Sequence, residues 1–145
     1  MRNGKRIKIV VDTNLWISFL MSLPTEQRLR CLLLSDKIDI LFSRELFNEL
    51  ETTAKRRKFR RYFDTVQVES LLQMLVEIVE IIDVRSVVEN CRDSEDNFLL
   101  ALAQDGGADY LITGDRDLLT LKKFGQTKIV TINEFEKISN TEPQS

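Results

Sequence analysis

The chain has 145 residues, of which 43% are hydrophobic and 30% charged, proportions typical of one globular domain. It contains no histidine, which excludes Ser–His and Cys–His nucleophile pairs and every histidine-based metal site. The net charge of −2 does not select a class of partner, because positive and negative residues are unevenly distributed along the chain.

Nothing in the sequence predicts a membrane or secreted protein. No hydrophobic run approaches the roughly 20 residues that cross a bilayer. The basic residues 1–6 precede a short strand-like run and not the apolar core of a secretory signal. Cys31 and Cys91 lack the spacing of a zinc motif and are expected to be unpaired thiols. We therefore expect a cytoplasmic protein.

The amino-terminal half predicts two strands and three helices. Ile7–Val11 is rich in β-branched residues and predicts a buried strand. Two helices follow, over about 14–22 and 24–35. Ile38–Phe42 predicts a second strand, and Ser43 is placed to cap the next helix.

The remaining chain continues the alternation of helices and strands. Helices are predicted over 66–76, from Asp93 or Ser94 to the glycines at 106 and 107, over 115–121, and from about Asn133. Strands are predicted over 79–82, 109–113 and 128–131. This alternation predicts an α/β domain with a mostly parallel sheet that is covered on both faces. We expect a single domain over residues 1–139 and a frayed tail over 140–145.

Four carboxylates stand where predicted strands end or helices begin: Asp12, Glu49, Asp96 and Asp115. Because ligands bind beyond the carboxyl ends of parallel strands, all four can converge on one edge of the sheet. Crowded carboxylates repel one another, so they take up protons or attract a cation. Oxygen-only ligands favour Mg²⁺ or Mn²⁺, which can activate water for attack on a phosphodiester without histidine.

Each acid also has a purely structural interpretation. Asp12 could equally cap the first helix, and Glu49 alone is more typical of a surface residue at the margin of an apolar stripe. Helix starts and turns explain the other acids, since negative charge is favourable there: Asp93, Asp96, Asp115 and Asp117. The joint placement therefore carries more weight than any single residue.

Four sequence blocks occur in a recognisable order: 11–14 (VDTN), 43–50 (SRELFNEL), 93–103 (DSEDNFLLALA) and 110–119 (YLITGDRDLL). In this order and spacing the chain resembles the PIN-domain family over roughly residues 7 to 136. Within that family it is most similar to the prokaryotic group classed as toxins of toxin–antitoxin systems. One departure is Glu95, where the family often has a Pro-Asp pair at positions 94 and 95.

The resemblance implies a three-layer α/β/α sandwich around a sheet of about five strands. It also implies a Mg²⁺- or Mn²⁺-dependent endoribonuclease that hydrolyses RNA phosphodiesters as the toxin of such a pair. The family's catalytic and metal-binding acids fall on Asp12, Glu49, Asp96 and Asp115. Its supporting positions fall on Thr13, Asn14, Asp93, Thr113 and Asp117.

Two of the matched positions carry more specific expectations. Asn14 is expected to orient a carboxylate or a water, and Asp117 to assist from outside the metal's own ligands. Trp16 replaces an aliphatic residue of the family, and we expect a core side chain and not a base-stacking one.

Residues 55–63 (KRRKFRRYF) concentrate positive charge and aromatic rings in an otherwise acidic chain. This composition is typical of a surface that binds a nucleic-acid backbone and exposed bases. The predicted RNA-binding residues are Lys55, Arg56, Arg57, Lys58, Arg60 and Arg61. The alternative is a solvated helix end that Phe59 and Phe63 anchor in the core.

Other partners and other functions remain open at this point. The resemblance suggests a homodimer and an antitoxin, which could inhibit the enzyme by placing a basic side chain among the carboxylates. A non-catalytic RNA- or protein-binding module on the same scaffold is the main alternative. An aspartate-based phosphotransfer domain is disfavoured, because Asn14 stands where a phosphatase of that kind needs a second Asp.

Overall fold

The computed structural model describes residues 6–141, and within this range helices flank a central sheet of six strands. The strands are β1 (Ile7–Val11), β2 (Ile38–Phe42), β3 (Glu80–Ile81), β4 (Tyr110–Ile112), β5 (Lys123–Phe124) and β6 (Thr127–Val130). Their spatial order is β3-β2-β1-β4-β6-β5, and every neighbouring pair is parallel except β5 with β6. The predicted α/β fold with a mostly parallel sheet is confirmed.

The sheet has six strands where about five were predicted. The additional strand, β5, is only two residues long and pairs with β6 across a turn at Gly125, whose φ is 59°. Two residues are too few to show either alternating or continuous hydrophobicity, so no sequence pattern predicted this strand. β3 is shorter than predicted because the backbone N–H of Val79 still donates to Leu75 at the end of the preceding helix, 2.9 Å away.

The helices are α1 (Thr13–Met21), α2 (Leu23–Leu34), α3 (Arg44–Ala54), α4 (Thr65–Ile78), α5 (Ser94–Gly106), α6 (Arg116–Leu121) and α7 (Ile132–Thr141). A 3₁₀ turn, Arg57–Phe59, lies between α3 and α4. Between residues 6 and 141, no helix combines the length and hydrophobicity that crossing a membrane requires. α7 continues two residues into the predicted tail, and positions 1–5 and 142–145 lie outside the described residues.

Short polar side chains and glycine set the helix boundaries. Ser43 caps α3 as predicted, because its hydroxyl accepts from the N–H of Leu46 at 3.1 Å. Asp64 and Gln67 form a reciprocal capping box at the start of α4. Gly107 ends α5 in the left-handed region with a φ of 67°, where a side chain would be strained.

The core lies between the sheet and its helices. Ile9, Val10 and Val11 are completely buried, as expected for a central strand that is covered on both faces. Burial of such side chains stabilises the fold by about 1.5–3 kcal/mol each. Trp16 is also completely buried and packs on Phe42, with ring centroids 5.8 Å apart. The prediction that Trp16 is a core residue is confirmed.

Close packing at the end of α5 depends on a glycine. A Cβ on Gly106 would lie 2.6 Å from the Cδ1 atom of Leu41 in β2, so the buried Leu41 side chain would have to shift to admit a larger residue. The same helix carries Asp96 at its other end. The glycine therefore allows the end of α5 that is remote from Asp96 to lie close to β2.

Candidate functional site

The strand order reverses between β1 and β4. β2 and β3 lie on one side of β1, whereas β4, which pairs with β1 on its other side, is followed outward by β6 and then β5. Val11 pairs with Ile112 across this junction, so Asp12 and Thr113 leave the sheet side by side. The backbone N–H of Asp12 donates to the Ile112 carbonyl at 3.0 Å. Crevices at such reversal points are the usual ligand sites of open α/β sheets.

Asp12 is buried at this edge and is held by hydrogen bonds to both oxygens. Oδ1 accepts from the backbone N–H of Asn14 at 3.3 Å and caps α1, while Oδ2 accepts from the Thr113 hydroxyl at 2.6 Å. Burial raises the pKa of Asp12, although the hydrogen bond from Thr113 opposes that rise. Asn14 thus contacts Asp12 through its backbone, and its side chain is exposed.

Thr113 links Asp12 to a second acid. Its hydroxyl donates to Asp12 and also accepts from the backbone N–H of Asp115 at 3.0 Å. Asp115 in turn caps α6, because its Oδ1 accepts from the N–H of Asp117 at 2.8 Å. A single buried hydroxyl therefore links the Asp12 carboxylate to the backbone of Asp115.

The start of α5 brings a third acid to the same edge. Asp93 caps the helix by accepting from the N–H of Glu95 at 2.9 Å, as predicted. Asp96, in the first turn, is 95% buried, and its pKa is raised to about 7. Burial is the largest cause of this rise, followed by the negative charges of Asp115, Asp93 and Asp12.

Carboxylate oxygens of Asp96, Asp115 and Asp117 lie within 4.8 Å of one another. We call these three residues together with the adjacent Asp12 the aspartate cluster. The donor set fits a hard divalent cation, since it consists of oxygens alone and carries several negative charges. The raised pKa of Asp96 agrees with this fit, because neighbouring carboxylates add to the effect of burial in opposing its negative charge.

Glu49 lies apart from this compact group and instead meets Glu95. The Thr53 hydroxyl donates to Oε2 of Glu49 at 2.8 Å, and Glu49 shares a hydrogen bond with Glu95. Burial and then the contact with Glu49 raise the pKa of Glu95 to about 7. We call these two residues the glutamate pair. Together with Thr13 and Phe98 they line a narrow cleft between α3 and α5.

The sequence-predicted acids therefore fall into two neighbouring groups. Asp12, Asp96 and Asp115 come together at the sheet edge. Asp117 was predicted only to support the site, but its carboxylate lies within 4.8 Å of those of Asp96 and Asp115. Glu49 pairs with Glu95, a residue that sequence reasoning treated only as a departure from the family pattern. Its acidic character next to Asp96 was the available signal.

A loop before α5 is fastened to the site by Asn97, which sequence reasoning did not single out. The Asn97 side chain accepts from the backbone N–H of Cys91 and donates to the Cys91 carbonyl, both at 2.9 Å. This two-point contact places Arg92 so that its guanidinium lies 3.7 Å from the Asp117 carboxylate. The amide directly after Asp96 was the signal in the sequence.

The predicted RNA-binding residues divide into one paired lysine and five exposed cations. Lys55 bridges Glu51 on α3 and Glu69 on α4, with a distance of 2.8 Å to Glu51. The other five are exposed: Arg56, Arg57, Lys58, Arg60 and Arg61. Arg56 lies close enough to Glu95 for their charges to interact. Lys55 is therefore engaged in holding two helices together.

Comparison with known proteins agrees with this arrangement. A model of the PIN domain matches residues 8–117. An uncharacterised protein of Methanocaldococcus jannaschii, MJ1680, is 29% identical over 132 residues, which cover 88% of this chain and 82% of that protein. The VapBC2 structure from Rickettsia felis, bound to a promoter DNA fragment, matches the fold with a TM-score of 0.57 and 16% identity, covering 85% of this chain and 97% of that one. This chain belongs to the PIN-domain family, whose members are generally nucleases.

Proposed function

We propose that this protein is an endoribonuclease that hydrolyses RNA phosphodiesters with Mg²⁺ or Mn²⁺ bound at the aspartate cluster. The observation that carries the proposal is the convergence of Asp96, Asp115 and Asp117 beside the buried Asp12 at the strand-order reversal. Family membership supports a phosphodiester substrate. The choice of RNA rests on the resemblance to toxin-type PIN domains.

The residues of the site have distinct roles in this proposal. Asp12, Asp96 and Asp115 would hold the cation, and the resemblance adds Glu49 as a fourth ligand. A cation bound there supplies charge stabilisation for the phosphodiester and makes a bound water more acidic. Thr113 keeps the Asp12 carboxylate directed at the site through its hydrogen bond to Oδ2.

Other residues would support the site from its margin. Asp117 adds negative charge and donates its backbone N–H to Asp115, which fixes that carboxylate. Asp93 caps α5 and thereby orients the turn that carries Asp96. Thr13 lines the cleft of the glutamate pair, and Asn14 would orient the Asp12 carboxylate through its backbone N–H.

We further propose that the protein is the toxin of a toxin–antitoxin pair, acts in the cytoplasm as one domain over residues 1–139, and forms a homodimer. The resemblance to toxin-type PIN domains supports this context. The fold match to a VapBC2 structure is compatible with it. The cognate antitoxin would block the aspartate cluster with a basic side chain, because a cation is what the crowded carboxylates attract.

The decisive test is RNA cleavage by the purified full-length protein. We expect cleavage of single-stranded RNA with Mg²⁺ or Mn²⁺ and none with EDTA. The Asp12→Asn and Asp96→Asn variants should lose activity, because each removes a charge needed to hold the cation. Asp36→Asn is the matched control, since Asp36 lies at the opposite end of the sheet, just before β2. Single-stranded DNA of the same sequence serves as the second substrate.

Each outcome has a defined meaning. Activity that survives EDTA or both substitutions at the cluster would contradict the proposal. Cleavage of DNA alone would retain the nuclease and reject the RNA substrate. An absence of cleavage together with an absence of Mn²⁺ binding in calorimetry would favour the alternative, a non-catalytic binding module.

The toxin assignment needs a separate test in cells. Induced expression of the wild-type protein should arrest growth, whereas Asp96→Asn should not. Growth that continues with an enzyme shown to be active in vitro would remove the toxin assignment without affecting the nuclease. Sequencing of cleaved RNA ends after induction would identify the target.

A further inference from the structure

Five exposed cations follow α3 without forming a salt bridge to any described residue. We call Arg56, Arg57, Lys58, Arg60 and Arg61 the basic tract. Within residues 6–141, none of the five lies within 4.0 Å of an acidic side chain. Most arginines elsewhere in this range do, the exceptions being Arg44 and Arg116. Arg28, for example, pairs with Glu136 on α7 at 2.6 Å. Since unpaired, exposed like charges repel one another, the tract is not explained by the stability of the fold.

Aromatic side chains hold the tract in a fixed shape. Phe63 is 96% buried and stacks on Phe59 with ring centroids 5.6 Å apart, so the segment between α3 and α4 is anchored to the core. The Arg57–Phe59 turn then directs its charged side chains to solvent. Tyr62 remains 54% exposed beside the Arg61 guanidinium. An exposed ring among cations is the arrangement on which unpaired bases stack.

The first residue of the basic tract, Arg56, lies near the glutamate pair. Arg56 lies close enough to Glu95 for their charges to interact, and Glu95 hydrogen-bonds Glu49. Glu95 also directly precedes Asp96 of the aspartate cluster in α5. Positive charge therefore continues from the solvent side of the α3–α4 connection up to the margin of the acidic site.

We propose that the basic tract guides single-stranded RNA into the site, with Arg56 contacting the phosphate nearest to the scissile bond and Tyr62 stacking on a base further away. This inference rests on the proposed function for its substrate. Lys55 is excluded, because its ammonium already bridges Glu51 and Glu69. An anionic bilayer fits the surface less well, since it would bring its charges against the adjacent acids, whereas one narrow strand can follow the cations alone.

The test is RNA affinity at several salt concentrations. Fluorescence anisotropy with a labelled single-stranded RNA in EDTA keeps the RNA intact and makes the measurement independent of cleavage. The Arg57→Gln/Arg60→Gln/Arg61→Gln variant should bind about 10- to 100-fold more weakly near 0.1 M salt. The slope of log affinity against log salt concentration should be less steep by about 2, because each lost phosphate contact reduces it by roughly 0.7.

A triple variant with the same loss of charge provides the control. It carries Gln at three exposed lysines around β5 and β6, namely Lys122, Lys123 and Lys128. We expect its affinity and salt dependence to match those of the wild type. Arg56→Gln and Tyr62→Ala should each weaken binding severalfold, which keeps the test informative should the triple variant lose thermal stability.

The proposal is overturned when the tract and control variants bind RNA equally well, or when the wild type does not bind RNA. It is also overturned when the tract variants lose binding to phosphatidylserine vesicles but retain RNA binding. Failure of cleavage with intact, tract-dependent RNA binding would instead reject the proposed function alone. Thus the two proposals fail in different measurements.

Discussion

The aspartate cluster and the glutamate pair present the same functional group in different ways. In the cluster, backbone N–H groups at helix starts hold Asp12 and Asp115, and a buried hydroxyl joins them. In the pair, Glu49 projects from the middle of α3 on a longer side chain and is held by the Thr53 hydroxyl. Backbone anchoring favours a rigid cation site, whereas a carboxyl that shares a hydrogen bond with its neighbour favours proton exchange.

Removal of one acid from each group tests this difference most directly. We expect Asp115→Asn to lower the rate of RNA cleavage by about a thousandfold, because a fixed charge at the reaction centre is lost. Glu49→Gln should lower it only about tenfold, since an uncharged amide can still hydrogen-bond Glu95. Single-turnover rates with Mn²⁺ provide the measurement. Equal losses would show that Glu49 is as important for holding the cation as Asp115, and would contradict the expected difference between the two groups.

The hydroxyls that support the two groups provide a matched second test. Thr113→Val removes the hydrogen bonds to Asp12 and Asp115, and we expect Mn²⁺ affinity to fall about 10- to 100-fold. Thr53→Val makes the same change beside Glu49 and should alter Mn²⁺ affinity less than threefold. Isothermal calorimetry measures both. A larger effect at Thr53 would show that the cation binds at the glutamate pair.

The pH dependence of cation binding tests whether Asp96 of the aspartate cluster is a ligand. The pKa of Asp96 is raised to about 7, so below that pH a cation must displace a proton. Mn²⁺ affinity should therefore rise about fivefold between pH 6 and pH 7, about tenfold between pH 6 and pH 8, and level off above pH 8. Calorimetry in buffers of different ionisation enthalpy should detect about one proton released at pH 6. Binding that is independent of pH would exclude Asp96 as a ligand.

The smallest effect is expected for the stability of the metal-free protein when Asp96 is replaced. Because the pKa of Asp96 is raised from 3.8 to about 7, folding favours its protonated form, and its contribution to stability declines as the pH rises from about 4 to 7. Asp96→Asn should thus stabilise the metal-free protein at pH 8 by on the order of 1–3 kcal/mol, and by less at pH 5.

Urea unfolding in EDTA at both pH values would measure this gain. Asp36→Asn is the control and should change the free energy of unfolding by less than about 0.5 kcal/mol, as is usual for exposed sites. A destabilised Asp96→Asn protein at pH 8 would mean that the ionised carboxylate is already compensated in the folded chain.

Much of the fold was predictable because its signals are local. The β-branched run at Ile7–Val11 predicted the central strand, Ser43 predicted the start of α3, and the glycines at 106 and 107 predicted the end of α5. Each signal depends on the backbone conformation of a few neighbouring residues. β5 gave no such signal, since its two residues become a strand only by pairing with β6.

The candidate site was predictable in part for the same reason. Asp12, Asp93 and Asp115 stand at helix starts, where capping alone fixes a carboxylate, and the structure shows all three as caps. Neither the contact of Glu49 with Glu95 nor the two hydrogen bonds between the Asn97 side chain and the Cys91 backbone could be derived in this way. Both depend on where α5 lies against α3 and the loop before it.

The alternation of strands and helices was enough to predict a mostly parallel α/β domain. Because histidine is absent, an enzyme of this sequence must rely on carboxylates, lysines, hydroxyls or a bound metal. Which acids meet depends on the tertiary structure. The pairing of β1 with β4 brings Asp12 beside Asp115 through Thr113, and the packing of α5 against α3 joins Glu49 to Glu95. These residues are far apart along the chain, so their distances are set by sheet order and helix packing and leave no local trace in the sequence.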